Sequence, residues 1–236
     1  MTAESILEQL STMGEASYKN VMLKHGVKEP FYGVKIEEMK KIAKQVKNGH
    51  DIALKLYDSG IYDAMYLAGL MAEPQKMTRP QLQKWAQKAN APILREYTAP
   101  WVAAESPYGL EKALEWIASG NEHLSTTGWA TLSSVVTITQ DKDLDMQLLK
   151  DLLKKVAATI HASGNREKLA MNGFVMAVGI HVKELNELAK QTAREIGKVK
   201  ADMGDTACKI PVALEYIEKA EGKNAIGKKK RSARCL

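Results

Sequence analysis

The chain has 236 residues, of which 45% are hydrophobic and 26% charged, and its formal net charge is +6. This size and composition allow a large buried core, which excludes disordered, collagen-like and disulfide-stapled chains. No apolar run approaches the roughly 20 residues of a membrane span, and the N-terminus lacks the basic-then-apolar order of a signal peptide. The sequence therefore predicts a cytoplasmic protein without a membrane partner, in which Cys208 and Cys235 stay reduced.

Apolar residues recur at three- and four-residue spacing along the chain, for example from Ile36 to Val46 and from Leu148 to Ile160. The best strand candidate, residues 135–139, continues an apolar helical stripe that begins at Leu124. Glycines and prolines divide the chain into about a dozen helices with short connections. Such connections favour antiparallel helix pairs. We therefore predict an all-α fold, an α-solenoid over residues 1–221.

The last segment, residues 222–236, contains six cationic side chains and no acidic one. The body is therefore neutral as a whole, although residues 150–200 hold ten basic and five acidic residues. A basic segment punctuated by glycines suits contact with phosphates, and a solvated segment without a partner is the equal alternative. We predict a flexible basic tail over residues 222–236.

Motifs for cofactor and metal chemistry are missing from the sequence. The chain has neither GxGxxG nor GxxxxGK[ST], so no nucleotide cofactor is expected. The histidines lie too far apart along the chain for local metal-binding spacing, and we predict no metal site and no other cofactor. Asp202, Asp205 and Cys208 recur every third residue, but a helix cap and core packing explain this spacing better than a set of metal ligands.

The four tryptophans, Trp85, Trp101, Trp116 and Trp129, cluster within 45 residues. Each fits an apolar helical stripe, so core packing is the first interpretation. An exposed tryptophan would instead stack on a nucleobase.

Several segments together resemble the DNA alkylation repair family of HEAT-like-repeat alkylpurine DNA glycosylases. They are YKNVMLKHGVKEPFYGVKIEEMKKIAK (18–44), LYDSGIYDAMYLAGLM (56–71), LQKW (82–85), WIASGNEHLSTTGWATL (116–132) and AMNGFVMAVG (170–179). The resemblance implies an α-solenoid of HEAT/ARM-like helix pairs whose concave, positively charged face holds double-stranded or damaged DNA without a cofactor. It also implies a carboxylate near the deoxyribose, where an oxocarbenium-like sugar develops positive charge, with aromatic side chains beside the lesion.

Four functional positions of this family can be located in the chain one by one. With no gap after Trp85, the family's first tryptophan falls on Pro92 and its catalytic aspartate falls on Glu96. Its catalytic arginine falls on Thr126, and its second aromatic residue falls on Phe174, where a tryptophan is expected. The resemblance thus keeps a carboxylate and an aromatic ring, and it loses a tryptophan and a guanidinium.

These departures leave the enzymatic activity open. Loss of one electrostatic group in an active site costs about a hundred- to thousand-fold in rate. Arg166 and Lys168 are candidates to replace the missing charge, whereas Arg95 is set aside because adjacent residues on a helix point about 100° apart.

Three hypotheses follow. The first is a DNA-binding protein whose alkylpurine excision is weak, altered or absent, with the preferred lesion or DNA structure left open. The second is an active monofunctional DNA N-glycosylase that uses Glu96, and the third is a helical-repeat scaffold for a protein partner. A monomer is expected, because no dimer-type heptad is present. The candidate DNA contacts are Phe174, Trp101, Trp129, Arg166, Lys168, Lys228, Lys229, Lys230, Arg231 and Arg234.

Overall fold

The computed structural model describes residues 1–203, 206 and 208–234. These residues form thirteen α-helices and no strand, which confirms the predicted all-α class for the described part of the chain. The helices are α1 (Ala3–Thr12), α2 (Ala16–Lys24), α3 (Ile36–Gln45), α4 (His50–Asp58), α5 (Tyr62–Met71), α6 (Arg79–Lys88), α7 (Ala99–Glu105), α8 (Gly109–Ile117), α9 (Glu122–Ile138), α10 (Met146–Thr159), α11 (Asn165–His181), α12 (Asn186–Ile196) and α13 (Ala213–Glu221). A π-helical segment, Leu94–Thr98, runs directly into α7.

Side-chain caps fix where several helices begin. Thr78 starts α6 with a capping box, in which its backbone N–H donates to Gln81 Oε1 at 2.8 Å and its hydroxyl accepts from the Gln81 backbone N–H. Asn121 starts α9 by accepting a hydrogen bond from the Leu124 N–H at 3.1 Å. The strand candidate at residues 135–139 lies in the last turn of this helix and at its C-cap.

Buried side chains form two clusters in chain order. The first extends from Ala3 to Trp116, and the second from Ala113 to Ile217, so the clusters meet at α8. Helices pack mainly against near neighbours in the sequence, as α4 does on α5, α8 on α9, and α11 on α9 and α12. This serial packing is the pattern of a helix-pair solenoid. No helix among the described residues is long and apolar enough to cross a membrane.

The segment after α13 departs from the prediction of a flexible tail. The backbone N–H of Gly227 donates to Ile180 O at 2.8 Å, and that of Lys230 donates to Thr137 O at 3.0 Å. The Ala233 N–H donates to Glu105 Oε1 at 2.8 Å. Residues 226–234, named here the C-terminal strap, therefore lie against α11, α9 and α7. They pack there because helix ends and an acidic side chain offer acceptors that the helices leave unfilled.

Candidate nucleic-acid interface

A groove of about 600 Å³ opens between the helical stretch 92–101 and helices α9 and α11. Most of its wall is apolar, with Pro92, Trp101 and Met176 among the lining side chains. Among the described lining residues, Arg166, Lys209 and Lys230 carry positive charge and Glu96 carries negative charge. The groove therefore combines apolar surface with a net positive charge from its described residues.

Glu96 lies in this groove, within the π-helical segment before α7. Helix α11 brings Arg166 to it from 70 residues away in the sequence, and Arg166 Nη1 donates to Glu96 Oε1 at 3.4 Å. Both side chains are largely buried, at 17% exposure for Glu96 and 24% for Arg166. The structure thus brings together two of the predicted site residues. Of these, Glu96 lies in a π-helical turn of the kind that is frequent at functional sites.

The electrostatic state of Glu96 is set by two opposing effects. Burial raises the pKa of its carboxyl, and the charges of Arg166 and Arg95 together with the Arg166 hydrogen bond oppose this. Among the described residues, one side-chain donor, at 3.4 Å, reaches this carboxylate, and it fills few of the acceptor positions. Glu96 can therefore accept further hydrogen bonds from a bound molecule.

Arg95 is not among the residues that line the groove, as the helix geometry argued, but its charge acts on Glu96. Its Nε is buried and has no hydrogen-bond partner among the described residues. Burial lowers the pKa of Arg95. The negative charge of Glu96 acts to raise this pKa, and the positive charge of Arg166 acts to lower it further. The pKa of His123 is also lowered, first by burial and then by the charge of Arg95. Two guanidinium groups therefore act on one carboxylate at this end of the groove.

The two predicted aromatic contacts Phe174 and Trp129 need correction. Their exposures are 0% and 1%, and their ring centres lie 5.3 Å apart in the second core cluster. They have no surface to offer to DNA, because α9 and α11 bury both rings against each other. Trp101 is also mostly buried, but it does line the groove and its ring lies 5.8 Å from that of Tyr97.

Thr126, at the position of the family's arginine, is buried in α9. Its hydroxyl donates to the Glu122 carbonyl at 2.8 Å, one turn earlier. This position faces the packed interior and would leave no space for a charged head group. Arg166 supplies a guanidinium beside Glu96 instead.

The predicted cations of the tail divide into two groups. Lys229 lies 2.8 Å from Asp141, and Arg234 lies 2.9 Å from Glu105, so both are engaged within the protein. Lys228, Lys230 and Arg231 are exposed, and Lys230 also lines the groove. Lys168 is half-buried in α11 and is not among the residues that line the groove.

Comparison with known proteins decides the family. A family model described as DNA alkylation repair enzyme matches residues 6–216. The chain belongs to this family. It is 30% identical over 229 residues to an uncharacterized protein of Listeria monocytogenes, and 28% identical over 232 residues to an uncharacterized protein of Listeria innocua. Each match covers 94% of this chain and 99% of the relative.

A solved structure matches the whole of this DNA alkylation repair family chain. Its TM-score is 0.91 at 32% identity, and the match covers 100% of both chains. That structure is described as a new family of proteins related to the HEAT-like repeat DNA glycosylases with affinity for branched DNA structures. The likeness confirms the predicted HEAT-like helical-repeat fold.

Two groove residues escaped the sequence reasoning. Tyr97 is 48% exposed and Lys209 is exposed, and both line the groove. The signal for Tyr97 was its place next to Glu96, since the resemblance also implies aromatic side chains beside the lesion. No comparable signal marks Lys209, which lies after α12 in a stretch without helical periodicity.

Metal ligation finds no support in the described part of the chain. No group of three or more histidine, cysteine, aspartate or glutamate side chains there could hold a metal ion. Cys208 is a free, exposed cysteine at the groove, while Asp205 and Cys235 lie outside the described residues.

Proposed function

We propose that this chain binds DNA in the groove beside Glu96 and Arg166, that it prefers branched DNA to linear duplex, and that base excision is weak or absent. The observation that carries the proposal is the guanidinium of Arg166 held against a largely buried carboxylate inside a mostly apolar groove that Lys209 and Lys230 also line. Membership in the DNA alkylation repair family supports DNA as the ligand. The similar solved structure, with its affinity for branched DNA, supports the preference for branches.

The physical basis for binding is the charge of the groove. Arg166, Lys209 and Lys230 present cations toward one volume, and each phosphate they neutralise releases condensed counterions from the DNA. The preference for branches has a separate basis in the apolar wall. A junction exposes unstacked base faces and sugar edges, which can pack on Pro92, Tyr97 and Trp101. A continuous duplex hides those faces in its stack.

The test is a binding titration at several salt concentrations on a three-way junction and on a linear duplex of the same sequence. We expect tighter binding to the junction and a log K that falls linearly with log salt, by about 0.9 per phosphate contact. Arg166→Gln should reduce the slope by about one contact. The control is Lys41→Gln, since Lys41 lies exposed on α3, outside the groove. Affinity that does not depend on salt, or equal slopes for Arg166→Gln and the wild type, would contradict the proposal.

Base excision is a second candidate function, favoured by the place of Glu96 in the groove. An ionised Glu96 would stabilise positive charge on a deoxyribose as its bond to an alkylated purine breaks. The pairing of Glu96 with Arg166 offsets its negative charge, and this is why we place excision second.

Single-turnover release of 7-methylguanine separates the two candidates. We expect wild type and Glu96→Gln both to stay at the rate of DNA alone. A wild-type rate above that background, reduced about a hundred-fold or more by Glu96→Gln, would replace the binding proposal with a glycosylase.

A further inference from the structure

The C-terminal strap, residues 226–234, crosses the ends of two helices through its backbone. The Gly227 N–H donates to Ile180 O in the last turn of α11, and the Lys230 N–H donates to Thr137 O in the last turn of α9. The Lys228 carbonyl lies 2.6 Å from His181 Nδ1. Carbonyls in the last turn of a helix have no partner within the helix. The strap supplies that partner at both helices.

Two cations of the strap also bind helix ends, those of α9 and α5. Lys229 Nζ donates to Val136 O at 3.0 Å, and Arg234 Nη1 donates to Leu70 O at 3.2 Å and to Ala72 O at 3.0 Å, at the end of α5. The negative end of a helix dipole favours cations at this position. Part of the basic composition of the strap therefore serves recognition of the protein's own helices rather than of phosphates.

Glu105, the last residue of α7, receives the end of the strap. One of its oxygens accepts from the Ala233 N–H at 2.8 Å and from the Ser232 hydroxyl. The other accepts from Arg234 Nη2 at 2.9 Å and from Nε at 3.2 Å. Burial acts to raise the pKa of Glu105, but the hydrogen bonds and charge of Ser232 and Arg234 outweigh it and lower that pKa. The carboxylate is thus nearly saturated with donors.

Lys230 lies between these two anchored parts of the strap. Its side chain is exposed and lines the groove, and Ala233 lines the groove beside it. The strap also joins the two core clusters, because α5 and α7 contribute to the first and α9 and α11 to the second. An exposed lysine on a free tail samples many positions, whereas Lys230 has a fixed backbone on the groove wall.

We propose that Glu105 is a positioning residue for DNA binding, which clasps Ser232 and Arg234 so that the strap holds Lys230 on the wall of the groove. This inference rests on the proposed function for its ligand. In this proposal neither Glu105 nor Arg234 touches DNA. Both act by holding the strap in place. Lys230 is the strap residue that makes the phosphate contact.

The experiment compares Glu105→Gln and Lys230→Gln by amide hydrogen exchange and by salt-dependent binding to a three-way junction. Glu105→Gln should speed exchange at the amides of Lys230 and Ala233 by more than tenfold. Lys230→Gln should leave that exchange unchanged. Both variants should weaken binding at low salt by the same few-fold factor, and both should reduce the salt slope by about one contact. The double variant should bind no worse than either single one. Glu111→Gln, an exposed glutamate on α8 paired with Arg79, is the control.

Should Glu105→Gln fail to fold, Arg234→Gln releases the same clasp while Glu105 keeps its contacts to residues 232 and 233, and the same changes are expected at smaller size. Slow amide exchange in the released variants would overturn the proposed role of Glu105 but not the proposed function. Fast exchange with full affinity and an unchanged salt slope would do the same. A wild-type chain that binds no DNA would overturn the proposed function, and with it the role of Lys230, whatever the exchange shows.

Discussion

Glu96 and Glu105 lie nine residues apart on one continuous helical stretch, and they show two uses of a buried carboxylate. Each side chain is 17% exposed and each faces an arginine. Glu105 accepts from three residues, and its pKa is lowered by hydrogen bonds that outweigh burial. Within the described part of the chain Glu96 accepts one side-chain hydrogen bond, at 3.4 Å, and burial raises its pKa. A carboxylate that the protein saturates with donors serves the fold, and one left under-coordinated in a groove keeps capacity for a ligand.

The largest expected effect is on stability. Glu105→Gln should lower the free energy of unfolding by about 2 to 3 kcal/mol, because charge-assisted hydrogen bonds are lost and Arg234 keeps a largely buried charge. Glu96→Gln should change it by less than about 1 kcal/mol, toward greater stability, since the fold disfavours its ionised form. Urea unfolding at constant m-value measures both changes. Equal losses for the two variants would remove the distinction between the sites.

A double-mutant cycle should give a larger interaction energy for the Glu105–Arg234 pair than for the Glu96–Arg166 pair. The interaction energy between Glu105 and Arg234 should be about 2 kcal/mol, and that between Glu96 and Arg166 should stay below about 1 kcal/mol. The reason is geometric: Arg234 meets its partner with two donors within 3.2 Å, and Arg166 meets its partner with one at 3.4 Å. A larger interaction energy for the groove pair would show that Glu96 also serves the fold.

The fold was accessible from the sequence where local signals determine it. The apolar spacing from Leu148 to Ile160 predicted α10, which the structure places at Met146–Thr159. Residues 135–139 were assigned to a helix because the stripe from Leu124 outweighed their β-branched composition, and the last turn of α9 lies there. In each case residues within about four turns of one helix decide the outcome, so a single sequence contains the information.

The site was accessible only in part, because it depends on contacts between distant segments. The resemblance located Glu96, and Arg166 was one candidate among several, but their pairing needs α11 to pack on α9 beside the π-helical segment. The same packing buries Phe174, which the resemblance had located, and Trp129, which its aromatic character had marked as a DNA contact. The position of the strap depends on helix ends that are remote from it in the sequence. Its dense positive charge therefore indicated phosphate binding, whereas two of its cations, Lys229 and Arg234, bind carbonyl groups and carboxylates of the protein itself.

The smallest expected effect, and the sharpest separation of the two carboxylates, is in the pH dependence of stability. The folded pKa of Glu96 lies above the ordinary value of 4.5, so its ionisation reduces stability at neutral pH. Glu96→Gln should therefore be slightly more stable than the wild type at pH 7, and this difference should close as the pH falls through the raised pKa toward 4.5. The folded pKa of Glu105 lies below 4.5, so its ionisation stabilises the fold above that value. Glu105→Gln should therefore be less stable than the wild type. The part of this stability difference that comes from ionisation should disappear only as the pH falls below 4.5.

The test is to measure the free energy of unfolding of the wild type and both variants at half-unit steps between about pH 3 and pH 8. Glu111→Gln is again the exposed control. The two differences must close on opposite sides of 4.5, because one carboxylate is destabilised by burial and the other is stabilised by its donors. If both differences close below 4.5, Glu96 is as well satisfied as Glu105, and the groove holds a second structural clasp instead of a carboxylate available to a ligand.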